Sequence, residues 1–151
     1  MKRPFSLVFK QEVKDIILLK QIREALHYIP MDRSDMKQSM KVILEASNRV
    51  KAGENFLIFA EGTRSRNGNE TLPFKAGAFK AATRAKAPIV PVALLDSYAP
   101  FDRSTTEPVT VQIHYMKPMY YEEYAGMKTT EIALEVEKRI REEIHKRMKA
   151  E

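Results

Sequence analysis

Apolar positions along the chain switch repeatedly between two patterns. Short continuous apolar runs are separated by stretches in which apolar residues recur at helical spacing, the signature of strands joined by crossover helices. "FSLVFK" (Phe5 to Lys10) predicts a first strand, and Asp15 to Leu26 a helix with Ile16, Leu19, Ile22, Arg23 and Leu26 at helical spacing. "YIPM" (Tyr28 to Met31) predicts a short extended piece enforced by Pro30. A better helix follows: Asp35 and Gln38 have capping-box spacing, Met36, Met40, Ile43, Leu44 and Val50 make its apolar stripe, and Gly53 stops it.

The run "FLIF" (Phe56 to Phe59) leads into the charged turn "AEGTRSRNG", and a small-residue helix near Ala76 to Lys86 precedes the run "IVPVALL" (Ile89 to Leu95). Continuous apolar character predicts that both runs are inner strands of a mostly parallel sheet, ending on the edge that carries Glu61 to Arg64. After a polar loop around Asp102 to Pro108, "VTVQIHYM" alternates, with Val109, Val111, Ile113 and Tyr115 on one face and His114 on the other. The last element predicted is a helix over Glu131 to Lys149. Its Ile132, Val136, Ile140, Ile144 and Met148 step by four, and Glu135/Arg139, Glu137/Arg141, Glu142/Lys146 and Glu143/Arg147 pairs mark a solvated face. The fold class expected is therefore α/β, a mixed, mostly parallel central sheet flanked by helices.

Length changes this picture little: 151 residues, 44% of them hydrophobic, make one domain with a real core. The absence of cysteine removes disulfides, thiolate metal sites and a cysteine nucleophile, and three histidines leave no His-rich metal site, so no metal is expected. A formal net charge of +6 favours an anionic partner, which could be a phosphorylated metabolite, a membrane surface or nucleic acid. The longest apolar run, Ala87 to Leu95, is far shorter than a membrane-spanning helix, and the apolar run after Lys2 and Arg3 lacks the form of a signal peptide.

Candidate chemistry sits in the charged turn. An arginine held beside the backbone amides after Gly62 and Thr63 could grip a phosphate through its planar fork. An ordinary loop with Glu61 paired to Arg64 accounts for the composition equally well.

The residue order adds to this. "FAEGTRS" (Phe59 to Ser65) resembles the Phe-Pro-Glu-Gly-Thr-Arg-Ser block of the glycerolipid acyltransferases, particularly the 1-acyl-glycerol-3-phosphate (lysophosphatidate) acyltransferases. "YIPMDRSD" (Tyr28 to Asp35) is similar to that family's Ile-x-x-Asp-Arg block. "PFKAGAFKAATRAKAPIVPVAL" (Pro73 to Leu94) is similar to its Phe-Lys-x-Gly segment followed by Val-Pro-Val. The resemblance covers nearly the whole chain and implies a glycerol-3-phosphate acyltransferase-like fold. It also implies that Arg33 and Arg64 bind the phosphate of a lysophospholipid acceptor at one anion site, with Glu61, Gly62 and Thr63 shaping the pocket. Gly77 would allow a close backbone approach. Val90, Pro91 and Val92 would help form the acyl site. Ala60 stands where the family usually has proline, which loosens the turn and removes no functional group.

The family's His-x-x-x-x-Asp block supplies the base that deprotonates the acceptor hydroxyl. His27 and Asp32 have that spacing, and we reject the match. A chance pair at this separation arises about one time in ten in such a chain. An extended Tyr28 to Met31 would hold the two roughly 16 Å apart. Both residues already belong to the Ile-x-x-Asp-Arg block, where His27 takes a place usually held by glycine. The expectation that follows is an N-terminally truncated, partial acyltransferase-like domain over residues 1 to 151, with the catalytic histidine upstream of Met1 and activity impaired. Met1 would then be an internal methionine of a longer frame, or the chain a shortened homologue.

The resemblance implies transfer of an acyl group from acyl-CoA or acyl carrier protein to 1-acyl-glycerol-3-phosphate, giving phosphatidate, with no cofactor, at the cytoplasmic face of a membrane. A catalytically silent phospholipid- or phosphometabolite-binding module is the alternative. A nucleic-acid partner is not expected, because no basic helix with interleaved aromatics is present.

Overall fold

The computed structural model describes residues 5–10, 28–31, 35–102 and 107–149. The helix expected over Asp15 to Leu26 lies outside them, as do His27, Asp32 and Arg33. The chain divides into two compact units, Met1–Phe59 with Lys80–Ala87, and Ala60–Phe79 with Pro88–Glu151.

In the first unit, strand β1 (Phe5–Lys10) is the centre of a parallel sheet. It pairs with β2 (Ile29–Met31) in the register Val8↔Ile29 and with β3 (Asn55–Leu57) in the register Leu7↔Leu57. Parallel neighbours need a crossover, and between β2 and β3 it is helix α1 (Met36–Lys51). The local signals for α1 hold: Asp35 Oδ1 accepts the N–H groups of Lys37 at 2.8 Å and Gln38 at 3.1 Å, and Gly53 follows the helix end at φ +92°. Its buried face differs from the expected stripe. Val42 and Ala46 are buried with Val8, Ile29 and Ala81, while Met40 and Leu44 are about 40% exposed. Small side chains on that face let α1 lie close to helix α2 (Lys80–Ala85).

Arg49, near the end of α1, ties the unit together. Its Nη2 donates to the buried Ser6 Oγ at 2.7 Å and to Glu54 Oε2 at 2.6 Å, and its guanidinium lies 4.9 Å from the centre of the Phe56 ring.

The Phe56 run is not the inner strand expected. Its strand ends at Leu57 and lies at the edge of the three-stranded sheet, and Phe59 is 54% exposed. A continuous apolar run reports side chains wanting cover and says nothing of how many neighbours the backbone has; among the described residues the strand with two neighbours is β1.

The second unit holds an antiparallel pair, β4 (Val92–Leu95) with β5 (Gln112–Tyr115), in the register Val92↔Tyr115 to Leu95↔Gln112. The predicted strand over Ile89 to Leu95 is interrupted because Pro91 has no N–H to give the ladder. Pairing resumes beyond it, where Ile89 and Met119 exchange hydrogen bonds of 2.9 and 2.8 Å. One extra residue is accommodated on the Met116 to Met119 side, a bulge.

Between these strands lies the short helix α3 (Ala99–Asp102), and after them α4 (Tyr121–Tyr124) and the long α5 (Thr129–Met148). Helix α5 buries Ile132, Val136, Ile140 and Ile144 among Phe79, Ala93, Leu95, Met119 and Tyr124. Each such isoleucine is worth about 1.5–3 kcal/mol of burial. The apolar face predicted for β5 proves to be the outer one: Ile113 is 55% and Tyr115 63% exposed. Ala93 and Leu95 of β4 belong to the core, and their cross-strand partners are His114 and Gln112. Register therefore turns Ile113 and Tyr115 away. The class is the expected α/β, with parallel pairing in one unit and antiparallel in the other.

Candidate functional site

The turn after β3 begins at Ala60, whose carbonyl accepts the Lys75 N–H at 2.8 Å, closing residues 61–74 into a loop. Inside it, Glu61 does not pair with Arg64. Its Oε2 accepts the Leu72 N–H at 2.7 Å, so the carboxylate braces the two arms of the loop. Gly62 follows at φ +77°, a conformation that costs a residue with a Cβ roughly 1–2 kcal/mol. Ser65 Oγ accepts the Asn67 N–H at 3.3 Å. Thr63 and Arg64 stand exposed at the outer end of the turn.

Arg64 Nη2 donates to Asp102 Oδ1 at 2.5 Å, both side chains being about half exposed. A pair so placed is worth at most about 1 kcal/mol.

The far arm of the loop is fastened to helix α5. Phe74 N–H donates to Glu137 Oε2 at 2.9 Å, Arg141 bonds Glu137 Oε1 at 2.8 Å, and Arg141 reaches both Thr71 Oγ1 and Thr71 O at 2.9 Å. The Glu137/Arg141 pair, expected on a solvated face, is therefore a loop anchor. At the turn's other side Asn69 bonds Asp96, which directly follows β4. Sequence reasoning passed over Asn69, Asp96 and Asp102, since nothing local marks a partner 27 or 38 positions away.

Of the other expected site residues, Gly77 lies in a single turn of 3₁₀ helix, Ala76–Phe79. A Cβ built on it meets nothing within 4 Å among the described residues, so the glycine faces open space instead of a close protein neighbour. Pro91 is buried and its carbonyl accepts the Met116 N–H at 3.0 Å; Val92 is half-buried in β4, and Val90 is 46% exposed. The structure thus brings Glu61, Gly62, Thr63 and Arg64 together in one braced turn, with the Phe74 to Gly77 segment joined to its base through Lys75. Among the described residues no group of three or more His, Asp or Glu is placed to hold a metal ion.

The family model described as Acyltransferase matches residues 1–95 of this chain. The chain belongs to the acyltransferase family. Among curated members, the 1-acyl-sn-glycerol-3-phosphate acyltransferase of Limnanthes douglasii is 34% identical over 121 residues, covering 74% of this chain and 41% of that protein. The enzyme of the same name from Salmonella typhimurium is 32% identical over 104 residues, covering 68% of this chain and 42% of its own length. This acyltransferase chain thus spans about two-fifths of the length of these relatives. The crystal structure of the 1-acyl-sn-glycerophosphate acyltransferase of Thermotoga maritima shares its fold, with a TM-score of 0.75 at 20% identity, covering all of this chain and 68% of that one.

Proposed function

We propose that this acyltransferase-family chain takes part in phospholipid biosynthesis as a 1-acylglycerol-3-phosphate O-acyltransferase. In that reaction the free hydroxyl oxygen of lysophosphatidate attacks the carbonyl carbon of an acyl-CoA or acyl carrier protein thioester. The new C–O ester bond forms, the C–S bond breaks, the hydroxyl proton passes to a base, and the thiol leaves with phosphatidate as product. General-base assistance to such a step is worth about a hundred- to ten-thousandfold. His27 and Asp32 are not assigned as that base.

The observation that carries the proposal is the braced turn, in which Glu61 is engaged by the Leu72 N–H and the exposed Arg64 pairs with an equally exposed carboxylate, Asp102. Arg64 is the proposed phosphate ligand, with Arg33 from the second matching block, and Gly62 and Thr63 line the approach. Gly77, with open space before it, and Val90, Pro91 and Val92 are proposed for the acyl side. The names of the relatives and the family match support the substrate class. The match runs through both compact units, which supports reading the chain as one acyltransferase-like domain. The proposed place of action is peripheral, at the cytoplasmic membrane face, a reading supported by the charge of +6, which favours an anionic surface. No described helix is long and apolar enough to cross a membrane.

Calorimetry with lysophosphatidate below its micelle concentration tests the phosphate site. Arg64→Ala should weaken binding by about tenfold to a hundredfold, the loss of a hydrogen bond to a charged group. Unchanged affinity in a folded variant removes Arg64 from the site. Thioester consumption with and without the acceptor, measured on the same samples, separates an acyltransferase from a silent lipid-binding module.

A further inference from the structure

Two segments of the second unit lie alongside one another in opposite directions. Arg64 meets Asp102, Gly68 meets Tyr98, and Asn69 meets Asp96, so as one strand of contacts advances from 64 to 69 the other recedes from 102 to 96. Gly68, at φ +62°, lies against the Tyr98 ring, where a Cβ would come within 3.7 Å.

The Asn69 end is the firmly built one. Asp96 N–H donates to Asn69 Oδ1 at 2.7 Å while Asn69 Nδ2 donates to Asp96 Oδ1 at 3.1 Å, so one amide side chain engages both a backbone donor and a side-chain acceptor of the same residue. Asp96 itself sits at φ +59°, a region that residues other than glycine seldom adopt and that persists where the surroundings over-determine it. Two bonds across 27 positions spent on one strained residue set the alignment of the two segments, and that alignment decides where Arg64 emerges.

We propose that Asn69 and Asp96 are positioning residues for the anion site: they touch no ligand, and hold the loop in the register that presents the Arg64 guanidinium to a phosphate. This rests on the reading of Arg64 as a phosphate ligand. Because the pair acts through Arg64, its contribution to binding exists only while Arg64 is present, which a merely structural role would not require.

The full chain is titrated with lysophosphatidate below its micelle concentration, well under the unfolding temperature, in a double-mutant cycle of Asn69→Ala and Arg64→Ala. Asn69→Ala alone is expected to weaken binding about fivefold, and to cost nothing further in the Arg64→Ala background. Asp96→Asn, which keeps an acceptor for Asn69 and tolerates positive φ, should bind within about twofold of the parent. Should Asn69→Ala fail to fold, Asp96→Gly, which relieves the backbone and removes the side-chain acceptor, takes its place in the cycle. An equal loss in both backgrounds, no loss in either, or an Asp96→Asn defect as large as that of Asn69→Ala overturns the assignment. If Arg64→Ala alone leaves affinity unchanged, the phosphate reading fails instead, and the two failures are told apart.

Discussion

Glu61 shows how a residue's role follows from what its atoms touch. Its carboxylate lies where a partner for Arg64 was one reading of the sequence, yet it accepts the Leu72 N–H at 2.7 Å from the opposite arm of the loop. That is a shape-holding bond, and Arg64 pairs instead with the exposed Asp102. Glu61→Ala should strand a half-buried N–H and destabilise the protein by about 1–2 kcal/mol. Glu61→Gln, which keeps an oxygen acceptor, should recover most of that. Urea unfolding of the three proteins measures both differences, and equal stability of the alanine variant and the parent would show that Leu72 finds another acceptor.

At the scale of elements, helix α5 does two jobs from two faces. Ile132, Val136, Ile140 and Ile144 fill the core, while Glu137 and Arg141 grip Phe74 and Thr71 of the loop. The Glu143/Arg147 pair lies farther along the same helix. Glu143 accepts from Arg147 at 2.7 Å, and that hydrogen bond, helped by the Arg147, Lys146 and His114 charges, holds its carboxyl below the ordinary carboxylate value. A depressed acid contributes stability above its unfolded value and loses it as pH falls through its folded one. The Glu143→Gln variant should therefore be less stable than the parent at neutral pH, with the gap closing as the solution is acidified below the usual carboxylate range. Thermal unfolding across that range checks it, and a gap independent of pH would assign the loss to something other than charge.

For the molecule as a whole, the balance of 26 lysines and arginines against 20 acids, together with a proposed lipid substrate, makes an anionic membrane surface the partner to test. Vesicles containing phosphatidylglycerol should sediment the protein at low ionic strength and release it as salt approaches roughly 0.5 M, since attraction between exposed charges is screened over a few ångströms there. Vesicles of phosphatidylcholine alone should capture much less. Capture that ignores both salt and lipid charge would point to apolar contact as the main attraction.

The sequence by itself determined what depends on neighbours a few positions apart. The Asp35 cap, the Gly53 stop, the α5 stripe from Ile132 to Ile144, though not the exposed Met148 at its end, and the strand character of Phe5 to Lys10 were legible because each rests on a local hydrogen bond or a local period. So was the Glu61 to Ser65 block as a unit, because its residues are consecutive. Only the tertiary structure decided which strand took the centre of the parallel sheet, which face of β5 turned outward, and which residues braced the turn. The alternation of β5 is the same whichever face is buried, and its pairing with Ala93 and Leu95 chose the face carrying His114. Likewise, Asn69 and Asp96 are ordinary polar loop residues until the chain reverses and brings them within 2.7 Å. Periodicity reports that a side chain needs cover or a partner; which partner it meets is set by chain reversals that no local pattern contains.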